Sequence, residues 1–558
     1  MQLNTQCTDA PSELERTQHD MPWWRGAVIY QVYPRSLMDT NGDGVGDLPG
    51  VIAKLDYIQS LGVDAVWISP FFKSPMKDFG YDISDYRAID PLFGTLDDFD
   101  RLIKKAHELG IRIIIDQVLS HTSDQHAWFQ ESRQSRDSEK SDWYVWADAQ
   151  DDGTPPNNWL SIFGGCAWEW EPRRGQYYLH NFLKSQPDLN FHSAAVRTAI
   201  LDEVEFWLQR GVDGFRLDAI NFCFHDKELR NNPAKPKSER KGRGFREDNP
   251  YAFQRHIYDN TRPENIDFIQ SLRTLMNRYP GVVTLGEISS EDSLKTMAEY
   301  TAGDSRLHMA YSFELLVDKL STDHIRTTIE TLEDGLASAW PCWSISNHDV
   351  VRVMSRWGGD TPAADLAKVF NALLLSLRGS VCSYQGEELG LTEADITPDE
   401  LQDPYGIAFW PMFKGRDGCR TPMPWHQASV HAGFSNAKST WLPVPDAHRQ
   451  QAVDIQENDP ASVLNAYRTF VRWRQGYKAL RLGDIQFIDS PQDTLLFVRD
   501  YRGQRILVGI NLSCHEKRCD IGDLTIASVL DGHGFAASNF HNNTLHLQPH
   551  GAFFAFII

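Results

Sequence analysis

Eight short apolar runs recur along the chain, each followed by a polar loop and then by a stretch whose apolar positions return every three to four residues. The runs are Val28 to Tyr33, Ala65 to Ile68, Ile111 to Val118, Gly214 to Ile220, Val282 to Ile288, Met309 to Phe313, Cys342 to Ile345 and Ser380 to Tyr384. Between them, stretches such as Asp97 to Leu109 and Val196 to Arg210 carry the helical period. Strands alternating with helices predict a parallel sheet, and eight repeats predict an α/β fold closed as a (β/α)8 TIM barrel. The alternative is a doubly wound open sheet. No Gly-rich phosphate loop follows the first strand, which counts against it.

Two spacings depart from a plain barrel. From His121 to Leu189 the chain is rich in Trp, Asp, Gly and Pro without helical period, too long for an ordinary loop, and predicts an inserted domain after the third strand. A second polar insertion, from about His225 to Glu264, carries the run KPKSERKGRGFRED, which reads as a solvated lid or surface loop. From Asp493 onward short alternating strands (LLFVRDY, RILVGINL, TLHLQ, AFFAFII) separated by turn residues predict a C-terminal all-β domain. The resulting division is an N-terminal extension (1–21), a barrel (22–121 and 190–485), an inserted domain (122–189) and a C-terminal β-sandwich (486–558).

Composition narrows the function. At 558 residues the chain exceeds one ordinary core. A net charge of −21 disfavours nucleic acid and anionic lipid as partners, so a neutral ligand is expected. No run of ~18 apolar residues appears, and the first twenty residues have no apolar leader core, so no membrane partner and a cytoplasmic setting are expected. The eight Cys are scattered singly, as in a reduced protein. The 17 Trp suit sugar faces, although most Trp fill cores.

In a barrel the chemistry sits where strands end. Here the third run contains Asp116 and is followed by His121, the fourth holds Arg216 and Asp218, the fifth Glu287, and the seventh is followed by Asn347, His348 and Asp349. A lone Asp after a strand is commonly a helix cap. Several acids at one rim instead suit glycoside hydrolysis, where one carboxylate attacks the anomeric carbon and a protonated acid aids the leaving oxygen. Asp218 and Arg216 alternate to the same side of a strand, so the guanidinium is expected to keep Asp218 ionised as nucleophile. Glu287, beside anionic Asp218 and Asp349, is expected to keep its proton for the acid step, with Asp349 as the third carboxylate on the distorting sugar.

At these residues the sequence resembles glycoside hydrolase family 13, the α-amylase family, in its α-glucosidase and oligo-1,6-glucosidase branch. The likeness runs from Trp23 to the C-terminus and rests on Asp116-Gln-Val-Leu-Ser-His121, Gln186-Pro-Asp-Leu-Asn190, Gly214-Phe-Arg-Leu-Asp218-Ala219, Gly286-Glu287, Ser346-Asn-His-Asp349, Tyr384-Gln-Gly-Glu-Glu388 and the stretch from Arg416 to Trp425. It implies the barrel, the insertion, the C-terminal β domain and retention by double displacement, with Asp218 as nucleophile, Glu287 as acid/base and Asp349 as stabiliser. It also implies Asp78 and Arg416 on the non-reducing-end hydroxyls, Tyr81 as a stacking ring, and His121, Arg216 and His348 around the reacting sugar. Phe163 and Phe182 fall where the family places aromatic walls, with core packing as the alternative. An Asp-Arg clamp behind one glucose implies exo-action on small substrates.

After the first run, Asp39-Thr-Asn41-Gly-Asp43-Gly-Val45-Gly-Asp47 alternates oxygen ligands with glycine, like the first half of an EF-hand. Its twelfth position is Gly50, and a strand precedes it, which excludes the hand itself. The resemblance implies a structural Ca²⁺ or Mg²⁺ on Asp39, Asn41, Asp43, Asp47 and the Val45 carbonyl, and no organic cofactor.

Ala219 directly follows the nucleophile, where Val resembles enzymes preferring α-1,6 bonds and Ala or Thr those preferring α-1,4 bonds or sucrose. A retaining α-glucosidase acting on maltose-like and sucrose-like substrates is therefore expected, with α-1,4 preferred over α-1,6 and transfer to sugar or alcohol acceptors. A sucrose isomerase and an oligo-1,6-glucosidase share nearly every motif. A non-catalytic transporter-subunit relative would need a membrane anchor and would lack the acids.

Overall fold

The computed structural model describes residues 21–240, 248–335, 339–359, 363–536 and 538–558. The expected N-terminal extension, but for its last residue, and the 241–247 part of the expected lid lie outside them.

All eight anticipated runs contain strands. They are β1 (Val28–Val32), β2 (Ala65–Ile68), β3 (Arg112–Val118), β4 (Gly214–Asp218), β5 (Val283–Ile288), β6 (Met309–Ser312), β7 (Cys342–Trp343) and β8 (Ser380–Tyr384). Each pairs in parallel with the next, from β1 to β6, while β8 pairs with both β7 and β1. One bridge, Ala310 to Pro341, links β6 to the residue before β7 and closes the ring. This is the (β/α)8 barrel.

The period of two along each strand sorts its residues. Ile29, Trp67, Ile114, Leu285, Met309 and Cys382 pack together inside the ring, with Trp24 and Trp340 in the same cluster. Their alternate neighbours Val28, Tyr30, Val66, Ile113, Phe215 and Leu217 face outward into the main core shared with the helices. Fully burying one such aliphatic side chain stabilises by about 1.5–3 kcal/mol. The same alternation turns polar toward the C-terminal ends. From Ile114 it reaches Asp116, from Gly214 it reaches Arg216 and Asp218, from Leu285 Glu287, and from Met309 Tyr311. Strand register then sets Asp116 beside Arg216 and Glu287 beside Tyr311.

The helices form as their apolar spacing predicts. Leu96–Glu108 turns Phe99, Leu102, Ile103 and Ala106 inward and starts with a capping box in which Thr95 and Asp98 satisfy each other's backbone N–H. Ala194–Gln209 buries Val196, Ile200, Val204 and Trp207.

Between β3 and β4 a three-stranded antiparallel sheet (Trp146–Ala147, Gln176–Leu179, Trp168–Glu171) packs around Trp159 and Trp168. Its segment is tied back by bridges from His121 to Asp188 and from Tyr144 to Leu189. After β8 and its helices, a five-stranded antiparallel sheet begins at Asp484–Ile488, before the first strand read from sequence. A three-stranded sheet packs against it, with Leu496, Leu507 and Phe553 of one meeting Cys519, Leu545 and Leu547 of the other. No helix among the described residues is long and apolar enough to cross a membrane.

Candidate active site

The inward polar row meets in one cavity at the C-terminal mouth of the barrel, lined in part by Asp78, Tyr81, Asp218, Glu287, Asp349 and Arg416. At its floor Arg216, fully buried, is shared among three carboxylates. Nη1 donates to Asp116 Oδ1 at 2.9 Å and to Asp218 Oδ1 at 2.7 Å, and Nη2 lies 2.5 Å from Glu287 Oε1. Nε and Nη2 also donate to the Tyr311 hydroxyl, which donates to Glu287 Oε1 at 2.9 Å. The second Glu287 oxygen accepts the Ala219 backbone N–H at 3.1 Å. Ala219 stands in the left-handed region at φ 40°, ψ 44°, a conformation costing an L-residue roughly 1–2 kcal/mol.

Burial pushes the Asp218 carboxyl well above the usual carboxylate range; Arg216 opposes this, while Glu287 and Asp116 add to it. Asp116 is raised to about 6, burial again outweighing Arg216. The one guanidinium is divided between Asp116 and Asp218 as well as the Glu287 oxygen beside it, so burial outweighs it at both Asp116 and Asp218. Arg216 does act on Asp218 in the expected direction, lowering it, but burial is the larger influence and the same guanidinium also serves Asp116 and Glu287. Asp349 differs. Burial alone would raise it, but the adjoining His348 ring, Arg416 and Arg420 hold it well below the usual range. Arg420 Nη2 donates to its Oδ1 at 2.9 Å and Arg416 Nη1 at 3.2 Å.

Residues 31–483 match the family described as alpha amylase, catalytic domain. The chain belongs to the α-amylase family. It is 52% identical over 539 residues to a probable α-glucosidase of Rhizobium meliloti (strain 1021), covering 96% of this chain and 97% of that protein. It is 38% identical to an oligo-1,6-glucosidase of Heyndrickxia coagulans, covering 88% and 92%. Among solved structures it is similar to an α-glucosyl transfer enzyme (61% identity, 97% and 100% covered, TM-score 0.95). It is also similar to the trehalulose synthase of Pseudomonas mesoacidophila MX-45 (32% identity, 96% and 100% covered, TM-score 0.87). The chain is a glycoside hydrolase of the α-glucosidase branch.

In this α-amylase-family barrel the expected site residues divide into two shells. Asp78, Tyr81, His121, Phe163, Phe182, Asp218, Ala219, Glu287, Asp349 and Arg416 all line the cavity. Arg216 and His348 do not line it but stand behind it. His348 exchanges hydrogen bonds with Tyr81 Oη and, at 2.7 Å, with Gln31 Nε2, and stacks on the Tyr81 ring at 5.5 Å. Burial lowers the His348 ring to about 3 and His121 to about 4, so both are neutral at physiological pH. At the far end Arg416 Nη2 meets Asp78 Oδ1 at 2.8 Å, closing the cavity. Phe163 and Phe182 reach it from the inserted segment; Arg416 lies 5.1 Å over the Phe163 ring.

Sequence reading missed several neighbours. Gln186, whose motif was visible, donates to Asp78 at 3.1 Å, and Tyr405, Phe222 and Phe313 complete the wall. Tyr405 and its neighbour Asp403 lie in a stretch with no period, and only the folded chain brings them here.

The loop 39–47 is tightly wound. Asp39 accepts N–H bonds from Asn41, Gly42 and Gly44, Asp43 from Val45, and Asp47 from Thr40 and Gly50. Gly44 sits at φ +91°, and a Cβ there would lie 2.3 Å from the Ser439 carbonyl oxygen. Among the described residues no three His, Cys, Asp or Glu side chains gather as a metal site. The loop's donors, counting Asn41 and the Val45 carbonyl, are all oxygen, which suits a hard cation.

Proposed function

We propose that this chain is a retaining, exo-acting α-glucosidase that hydrolyses and transfers terminal α-glucosyl residues of small substrates such as maltose and sucrose. Asp218 is the nucleophile, Glu287 the acid/base and Asp349 the carboxylate that steadies the oxocarbenium-like sugar. The observation that carries this reading is that Asp218 and Glu287 sit on the two terminal nitrogens of one guanidinium. Held on neighbouring nitrogens at one end of the cavity, the two carboxyls can reach the same anomeric centre, as the paired acids of a glycosidase must. Glu287 gives a proton to the substrate's leaving oxygen while Asp218 attacks the anomeric carbon from the opposite face. Water or a sugar or alcohol acceptor then takes the glucosyl group, with Glu287 as base.

The Asp78–Arg416 pair behind one sugar supports exo-action. Ala219, small at the cavity wall, supports α-1,4 over α-1,6 linkages. Loop 39–47 would hold Ca²⁺ or Mg²⁺ through Asp39, Asn41, Asp43, Asp47 and the Val45 carbonyl, lending the loop rigidity and no chemistry. The seven described cysteines are all free thiols, in keeping with a cytoplasmic protein.

Separate incubation with maltose, isomaltose and sucrose tests the reading. Glucose release fastest from maltose or sucrose, with transfer products at high substrate, is expected. Conversion of sucrose mainly into isomeric disaccharides would instead identify a sucrose isomerase, and a preference for isomaltose an oligo-1,6-glucosidase.

A further inference from the structure

Arg416 does not orient itself. Its guanidinium has five N–H groups. Two of them, on Nε and Nη2, run along the carboxylate of Asp403 at 3.1 and 2.8 Å, and the Arg416 backbone N–H donates to the same side chain at 2.7 Å. With Nη2 also on Asp78 and Nη1 on Asp349, a single N–H of Nη1 has no partner among the described residues and is left for a ligand. Asp403 is fully buried and does not line the cavity. It also caps the short helix Pro404–Phe409 by accepting the Tyr405 N–H at 3.2 Å, and Tyr405 stacks on Phe163 at 5.0 Å. The backbone of this corner is anchored in turn, since Asp417 Oδ2 accepts the N–H of Gln402 and of Asp403 at 2.6 and 2.8 Å. A side chain at Gly415 would meet Asp403 Oδ2 at 2.9 Å, so the loop closes around this carboxylate.

We propose that Asp403 is a positioning residue for glucoside recognition: its side-on grip on Arg416 aims the one free guanidinium N–H at the hydroxyl farthest from the reacting carbon. This rests on the proposed exo-acting clamp. Without the grip, Arg416 is drawn wholly onto Asp78 and Asp349, and that hydroxyl loses its donor.

The test compares p-nitrophenyl α-glucoside with its 4-deoxy analogue in the wild type, D403N, D403E and the control Q402A, whose side chain is exposed. The wild type should favour the parent glucoside by about tenfold or more in kcat/KM, the size of one charge-assisted hydrogen bond. D403N, which can still cap the helix, should contract that ratio toward one, raising KM for the parent more than it lowers kcat. D403E should fall between, and Q402A should match the wild type. If D403N is not recovered folded, the ratio in D403E decides. A variant ratio equal to that of the wild type would overturn the role of Asp403, as would equal losses on both substrates. A wild type that treats both substrates alike would instead overturn the clamp.

Discussion

Arg216 Nη1 donates to Asp218 Oδ1 at 2.7 Å from two residues earlier on the same strand, so the cation that steadies the proposed nucleophile is delivered by strand geometry alone. It is also the only arginine in contact with Asp116 and Glu287 among the described ion pairs. Removing it, as in R216M, leaves buried carboxylates without a counter-charge. The expected result is a stability loss of about 3–5 kcal/mol by denaturant titration at pH 7, shrinking at acidic pH as the acids protonate.

Asp218→Asn and Glu287→Gln should each remove nearly all turnover, by roughly 10²–10⁴-fold for the acid on substrates with poor leaving groups. Because burial penalises the charged form of Asp218, the Asn variant should unfold at the same temperature as the wild type or higher. Turnover assays paired with thermal melts check both halves.

The raised Asp116 and Asp218 place the acid limb of kcat/KM above the range of an ordinary carboxylate. Lowering pH through about 6 protonates Asp116, and Asp218, pushed up by the same burial, also takes up its proton above the ordinary carboxylate range, which quenches the nucleophile. Asp116→Asn removes one like charge and frees Arg216 for Asp218, so its acid limb should move to lower pH. A limb that stays in place or moves up would contradict this coupling.

Glu387, just after β8, is raised to about 7 by burial and accepts from Ser383 Oγ at 2.9 Å. A carboxyl whose folded pKa exceeds its unfolded value of 4.5 binds more protons in the folded state across that window, so its contribution to stability falls as pH rises from about 4.5 to about 7. E387Q should therefore gain in unfolding temperature relative to the wild type at pH 8 and gain little at pH 4.5.

Ala219→Val puts a β-branched side chain at φ 40°, where the left-handed backbone already strains an L-residue. The melting temperature should fall. The isomaltose-to-maltose ratio of kcat/KM should rise, by an amount worth about 1–3 kcal/mol for a change of pocket volume.

The barrel was legible because its strands are buried runs bounded by polar loops, and the acids because they terminate those runs. Strand β7 is shorter than read, Cys342–Trp343 rather than reaching Ile345, since the chain leaves the ring early to bring Asn347, His348 and Asp349 over the mouth. In the C-terminal sheets, Lys517–Asp520 and Asn539–His541 went unread. They are short and half-exposed, and their pairing with Thr544–Leu547 leaves little hydrophobic alternation. Asp403 carries no local signal either, and Arg420, although it falls within the Arg416 to Trp425 motif, shows no role there. Their roles follow from contacts to Arg416 and Asp349 that only tertiary packing creates. Sequence alternation put Arg216 on the right face of its strand but could not show that three acids divide it.

The central claim, double displacement through Asp218, is tested most directly by following maltose cleavage with proton NMR before mutarotation sets in. The account predicts α-glucose as the first anomer released from the non-reducing end. β-Glucose appearing first would mean single displacement by water and would contradict the assignment of Asp218 as nucleophile.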